Sequence, residues 1–140
     1  MANYDCDVAL VDAALDVNAA ENTSGAGAIV QFFGDVRPLE NGEDIDGIEY
    51  EAHQEMAEYQ LRKIADEAAE RFGLLAVCLH HRVGFVGVGE TSLFLKVAAA
   101  HRDAAFDASR WIVDELKKRV PIWKSSVVRS DQTREMAARL

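Results

Sequence analysis

Residues 101–124 read HRDAAFDASRWIVDELKKRVPIWK, and the rest of the chain reads as a scaffold for this segment. It has a His-Arg pair at its head, a helix-length body, lysines at 117, 118 and 124 toward its tail and one of the chain's two prolines. Ala105, Ser109, Ile112, Val113, Leu116 and Val120 recur at three- and four-residue steps, while Asp107, Arg110, Asp114, Lys117 and Lys118 fall elsewhere, which predicts an amphipathic helix. Asp103 suits the positive end of such a helix, and Lys117, Lys118 and Arg119 suit the negative end. Pro121 stops it and pushes Val120 toward an extended conformation, so Ile122 to Lys124 leave as a strand or extended loop.

A geometric consequence follows. His101 and Lys117 are sixteen residues apart, about 24 Å on a continuous helix. One small-molecule site cannot easily hold both from one chain. Either one end alone is functional, or two chains pack so that the head of one helix meets the tail of the other, as in a symmetric dimer with two shared sites.

The chain has 140 residues, enough for one domain with a real core but not for two. A net charge of −9 argues against general nucleic-acid binding, which needs a basic face. Yet Lys117, Lys118, Arg119 and Lys124 fall within eight positions, which suggests an anion pocket; a helix end decorated to match its dipole is the plain alternative. Cys6 and Cys78 have no metal-ligand spacing and read as small buried hydrophobes in a reducing compartment. The first residues do not resemble a signal peptide, and no apolar run approaches a membrane span. A cytoplasmic protein is expected.

From the N-terminus, Cys6 to Val11 is a short strand, Val11 to Ala20 a short helix capped by Asp12, and Glu21 to Gly27 a loop. An apolar strand follows from Gly25 to Gly34; its glycines mark a bulge or close backbone packing rather than a dinucleotide fingerprint, since no helix follows. Leu39 to Gly47 is a surface loop or hairpin connection, and Ile48 to Ala52 a strand. Gln54 to Phe72 is a second long helix, with Ala57, Leu61, Ile64, Ala65, Ala68 and Phe72 on one face and Gly73 as its cap. Leu74 to Val83 is a strand whose adjacent His80 and His81 face opposite sides, with at most one of them buried. Gly84 to Glu90 reads as a hairpin turn with a bulge, leading into a strand from Thr91 to Ala99 that feeds His101. Ser125 to Val128 stays extended, and residues 129–140 form a polar tail with a short terminal helix from Ser130. This order predicts a single α+β domain, with helices packed on a mostly antiparallel or mixed sheet.

The residues that could carry chemistry are Arg37, just past a strand end, with His101, Arg102, Lys117 and Lys124. Arginine offers a planar fork for phosphate or carboxylate. Lysine binds anions, and serves as base or nucleophile when a neighbouring cation depresses its pKa, as Lys124 would for Lys117 if the chain folds back at Pro121. His53, near Glu51 and Glu55, invites a metal reading, but nothing completes a ligand set, and no metal is expected. No serine-histidine-acid set, cysteine nucleophile or metal cluster stands out, so a generic phosphoesterase is disfavoured. The residues alone support an anion site with possible lysine chemistry.

Several runs match one family. GDVR (34–37), EYEA (49–52) with Met56-Ala57, HRVG (81–84), VGE (88–90), HRDAAF (101–106) and LKKRVPIWK (116–124) resemble the large, catalytic subunit of molybdopterin synthase, in order from Gly25 to Lys124. The resemblance implies the α/β hammerhead type of fold and no cofactor. It implies conversion of cyclic pyranopterin monophosphate (precursor Z) to molybdopterin. Sulfur would arrive as a thiocarboxylate on the C-terminal Gly-Gly of a small ubiquitin-like carrier subunit. The implied assembly is a heterotetramer around a homodimer of large subunits, in which His101 and Arg102 join the other chain's Arg37, Lys117 and Lys124.

By position Lys117 matches the principal catalytic lysine and Lys124 the second. Lys117 would do acid–base work or transiently capture the carrier's acyl group; Lys124 would orient that group. Arg37, His101 and Arg102 would hold phosphate and pterin. Ser125 and Ser126 stand in the substrate-binding region where the family commonly has a basic residue and then glutamate. Asp35 replaces a threonine or basic residue, and His53 a frequent tyrosine. The rival reading is a non-catalytic dimeric module that binds the carrier or an anionic ligand.

Overall fold

The computed structural model describes residues 3–17 and 25–129. In chain order the elements are β1 (Asp5–Val11), β2 (Ala28–Asp35), β3 (Leu39–Glu40), β4 (Glu43–Ala52), α1 (Gln54–Phe72), β5 (Ala76–Arg82), β6 (Gly84–Gly87), β7 (Thr91–Ala99), α2 (Arg102–Arg119) and β8 (Ile122–Val128). The architecture is α+β as expected, but the strands divide between two sheets. The first has the order β1-β5-β7-β2; β1 runs parallel to β5, and the other neighbours are antiparallel. The second has the order β3-β4-β6, with β8 also pairing antiparallel to β4.

The helices form where the apolar spacing predicts. On α1 the buried residues are Ala57, Leu61, Ile64, Ala65, Ala68 and Ala69; on α2 they are Ala105, Ala108, Ser109, Ile112 and Leu116. Phe72 is only partly buried and packs edge-on against Trp111, with ring centroids 6.1 Å apart. Both helices pack on the face of the first sheet that carries Val77, Leu79, Leu93, Leu95 and Val97. Leu61, Ile64 and Ile112 are fully buried, so truncating any of them to alanine removes about 2–5 kcal/mol of stability. A smaller core of Val36, Ile45, Ile48 and Val86 supports the second sheet.

The helix ends also follow from the sequence. Gly73 closes α1 in the left-handed region at φ 67°, which costs glycine no Cβ clash. His53 caps the start of α1, its Nδ1 accepting from the Met56 N–H at 3.3 Å. A capping role accounts for His53 without a metal. Val120 leaves α2 extended, at φ −89° and ψ 125°, as the following proline requires. Gly27 packs against the chain: a Cβ there would run into the Ala100 carbonyl oxygen.

Three expectations change. Asp12 to Val17 make bends and a turn rather than the start of a helix; the remainder of that expected helix lies outside the described residues, as does the terminal helix from Ser130. Of the two readings of Leu39 to Gly47, the hairpin holds, turning tightly at Asn41 (φ 52°) and Gly42 (φ 82°), but the strand expected from Ile48 starts five residues earlier, at Glu43. Gly84 to Glu90 is more than a turn. It contains β6, which pairs with β4 in the second sheet, while β5 and β7 pair with each other in the first. Local glycine spacing showed the turn but not the long-range pairing.

Candidate functional site

A cleft of about 640 Å³ opens where the tail of α2 meets β8 and the start of the second sheet. That volume suits a small organic ligand. Arg37, Lys117 and Lys124 all line it, together with Asp35 and Glu40. The chain therefore folds back at Pro121 as the sequence suggested. Pairing of β8 with β4 sets Lys124 opposite Tyr50 and returns it to the side of Lys117.

The cations differ in their surroundings. Lys117 is exposed on the last turn of α2 and has no carboxylate partner among the described residues. Its neighbours on that turn are engaged: Lys118 pairs with Glu115 at 3.4 Å, and Arg119 grips Glu67 through two nitrogens at 2.9 and 3.1 Å. Only Lys117 of that basic run faces the cleft. Lys124 is held by Glu40 at 2.9 Å, and Arg37 approaches the other oxygen of the same carboxylate at 3.8 Å. Glu40 is thus an internal counter-anion between two cations of the cleft. Nothing in its acidic loop marked it, because the β3–β4 hairpin had to form first.

The cleft floor is polar but internally satisfied. Tyr50 donates its hydroxyl to Ser92 Oγ at 3.3 Å, and Ser92 donates to the Gly34 carbonyl oxygen at 3.1 Å. Asp35 accepts from Thr91 at 2.7 Å. His81 lines the same wall, buried edge-on against Tyr50, while His80 faces the opposite side of the sheet and is less buried. Burial holds the His81 imidazole below the usual histidine range; its Nδ1 donates to the Arg82 carbonyl oxygen at 2.8 Å. The neutral ring thus keeps Nε2 as its acceptor nitrogen.

The remaining sequence-derived residues lie elsewhere. His101 and Arg102 border a separate, open hollow of about 450 Å³ with Gly27, Ala100 and Asp103 at the head of α2. Ser125 and Ser126 sit half-buried on β8 opposite Glu49 and Ile48 and do not line the cleft. One chain thus brings together Arg37, Lys117 and Lys124 but not the His-Arg pair. Cys78 is unsuited to nucleophilic work, since burial and then Asp7 push its thiol up to about 11. No helix among the described residues is long and apolar enough to cross a membrane.

A family model described as MoaE protein matches residues 8–119. The chain belongs to the MoaE family. It is 45% identical over 103 residues to a molybdopterin synthase catalytic subunit of Thermoplasma volcanium, covering 74% of this chain and 75% of that one. It is 42% identical over 125 residues to the same subunit of Pyrococcus abyssi, covering 86% and 84%. The fold matches a crystal structure of molybdopterin synthase from Staphylococcus aureus with a TM-score of 0.78 at 29% identity, over 86% of this chain and 90% of that one. The MoaE match spans both the cleft residues Arg37 and Lys117 and the His-Arg pair; Lys124 lies just beyond it.

Proposed function

We propose that this chain is the catalytic subunit of a molybdopterin synthase, and that the cleft at the tail of α2 is its reaction site. The observation that carries the reading is the convergence of Lys117, Lys124 and Arg37 on one cleft within a MoaE-family fold. The substrate is the pterin phosphate precursor Z, and the sulfur donor is the C-terminal Gly-Gly thiocarboxylate of a small ubiquitin-like carrier. The working assembly is a heterotetramer built on a homodimer, in the cytoplasm.

Three cations suit the anions that meet here, a phosphate and a thiocarboxylate. In each transfer sulfur bonds to a substrate carbon as a carbon–oxygen bond at that carbon breaks, the oxygen leaving as water or as a phosphate oxygen; the carrier's acyl carbon–sulfur bond then breaks as water returns the carrier tail as a carboxylate. Lys117, with no carboxylate partner among the described residues, serves as proton donor and acceptor or captures the acyl group as an amide that water then cleaves. Lys124 orients the acyl oxygen once the incoming anion displaces Glu40. His101 and Arg102 reach the site from the second chain.

The test is single-turnover conversion of precursor Z by the full chain with thiocarboxylated carrier. Product formation supports the synthase. A folded, carrier-binding protein that yields no product is the non-catalytic module instead.

A further inference from the structure

On the face of the first sheet turned away from the helices, three different metal-ligating side chains converge. Cys78 and His80 are two residues apart on β5 and point to the same side, opposite Val77, Leu79 and His81. Asp7 is in register with Cys78 on the parallel strand β1. His80 Nε2 lies 2.9 Å from Asp7 Oδ1 and 3.7 Å from Cys78 Sγ, and Cys78 Sγ lies 3.9 Å from Asp7 Oδ2.

The arrangement is not a proton relay. In a Cys-His-Asp relay the two imidazole nitrogens face different partners. Here one nitrogen, Nε2, faces both the sulfur and the carboxylate, and one donor atom from each of the three side chains lies within 4.8 Å of the others. Ordinary zinc bond lengths at tetrahedral angles place such atoms about 3.3 Å (N to O), 3.6 Å (S to N) and 3.5 Å (S to O) apart. The nitrogen-to-oxygen and sulfur-to-nitrogen separations lie within about 0.4 Å of those values, while the sulfur's 3.9 Å contact is to the other carboxylate oxygen, so a turn of the Asp7 carboxylate completes the triangle.

We propose that Asp7, Cys78 and His80 form a three-ligand site for a divalent transition metal of the zinc class, separate from the reaction cleft. The donor set is a thiolate, an imidazole and a carboxylate, the mixture that borderline metals such as zinc favour over calcium or magnesium. Asp7 is exposed while Cys78 and His80 are partly covered, so the site opens to solvent on one side and leaves a fourth position for water. None of the three residues lines the cleft, so filling the site does not supply the sulfur-transfer chemistry.

The test is titration of the reduced full chain with cobalt(II), then zinc(II). One cobalt per chain is expected, with a near-ultraviolet sulfur-to-cobalt charge-transfer band that one equivalent of zinc removes. Cys78→Ser abolishes the band, whereas Cys6→Ser retains it, because Cys6 packs toward the helices. His80→Gln and Asp7→Asn, which preserve side-chain size, weaken cobalt binding by more than about tenfold, since even outer-shell losses reach that size. Absence of the band in the wild type, or its survival in Cys78→Ser, overturns the assignment. Unchanged circular dichroism of the variants separates loss of a ligand from loss of fold.

Discussion

The two ends of α2 both carry basic residues from the segment 101–124, yet they sit in different places. At the tail, Lys117 faces a cleft of about 640 Å³ shared with Arg37, Lys124 and a carboxylate. At the head, His101 and Arg102 border an open hollow of about 450 Å³ whose other members are Gly27, Ala100 and Asp103. The tail has depth and convergent charge, as a small-molecule site needs. The head has charge without enclosure. An α-helix of this length cannot bend its ends together, so if the head completes a lysine site, it does so on another chain.

The sharpest way to test that division is to remove one end at a time. Lys117→Ala lowers single-turnover product formation by about 10²–10⁴-fold, the range for a lost acid–base group, with carrier binding retained. Equal turnover by wild type and variant would move the chemistry to Lys124. If the head serves the other chain, a mixture of Lys117→Ala and Arg102→Ala chains regains about a quarter of wild-type activity. Half of randomly paired dimers are mixed, and one of the two sites in each is intact. No recovery from dimers that exchange freely breaks the shared-site picture.

Gly27→Ala probes the head by packing. Its new methyl meets the Ala100 carbonyl oxygen, so the chain loses about 1–3 kcal/mol in urea unfolding, typical of overpacking. At the tail, Glu40→Gln removes the internal counter-anion. It tightens inorganic phosphate binding by up to about fivefold in calorimetry, the equivalent of one exposed ion pair. Weaker binding in this variant would mean that Glu40 positions the lysine rather than competing with the ligand.

The smallest effect concerns His81 in the cleft wall. Its folded-state pKa is depressed by burial, so between that value and the usual ~6.5 the unfolded chain binds a proton that the folded chain does not. Its contribution to stability is full above about 6.5 and declines as pH falls below that value. Urea midpoints at successive pH values therefore fall less steeply in His81→Gln than in the wild type.

Much of the fold was legible locally. The helix faces, the Gly73 cap, the Pro121 stop and the strand at Thr91 to Ala99 depend on periodicity and backbone geometry within one element. The expected short helix after Val11 failed over its described residues, because a capping aspartate and alanines carry no information about what a segment packs against. β6 was missed because a four-residue strand exists only through its partner, β4. The cations of the site were readable as residue types, and the family resemblance ranked them. Glu40 was not, since its carboxylate acquires meaning only when the hairpin at Asn41-Gly42 brings it to Lys124.

The sequence by itself determined the two long helices, their ends, the class of fold and the candidate lysines of an anion site, because each follows from short-range spacing or from a family's motif. Tertiary structure alone decided the division into two sheets, the cleft between α2 and β8, the counter-anion Glu40 and the convergence of Asp7 with Cys78 and His80. Asp7 and Cys78 are 71 residues apart. Strand register sets such meetings, and register is fixed by the packing of the whole sheet rather than by any one stretch of chain.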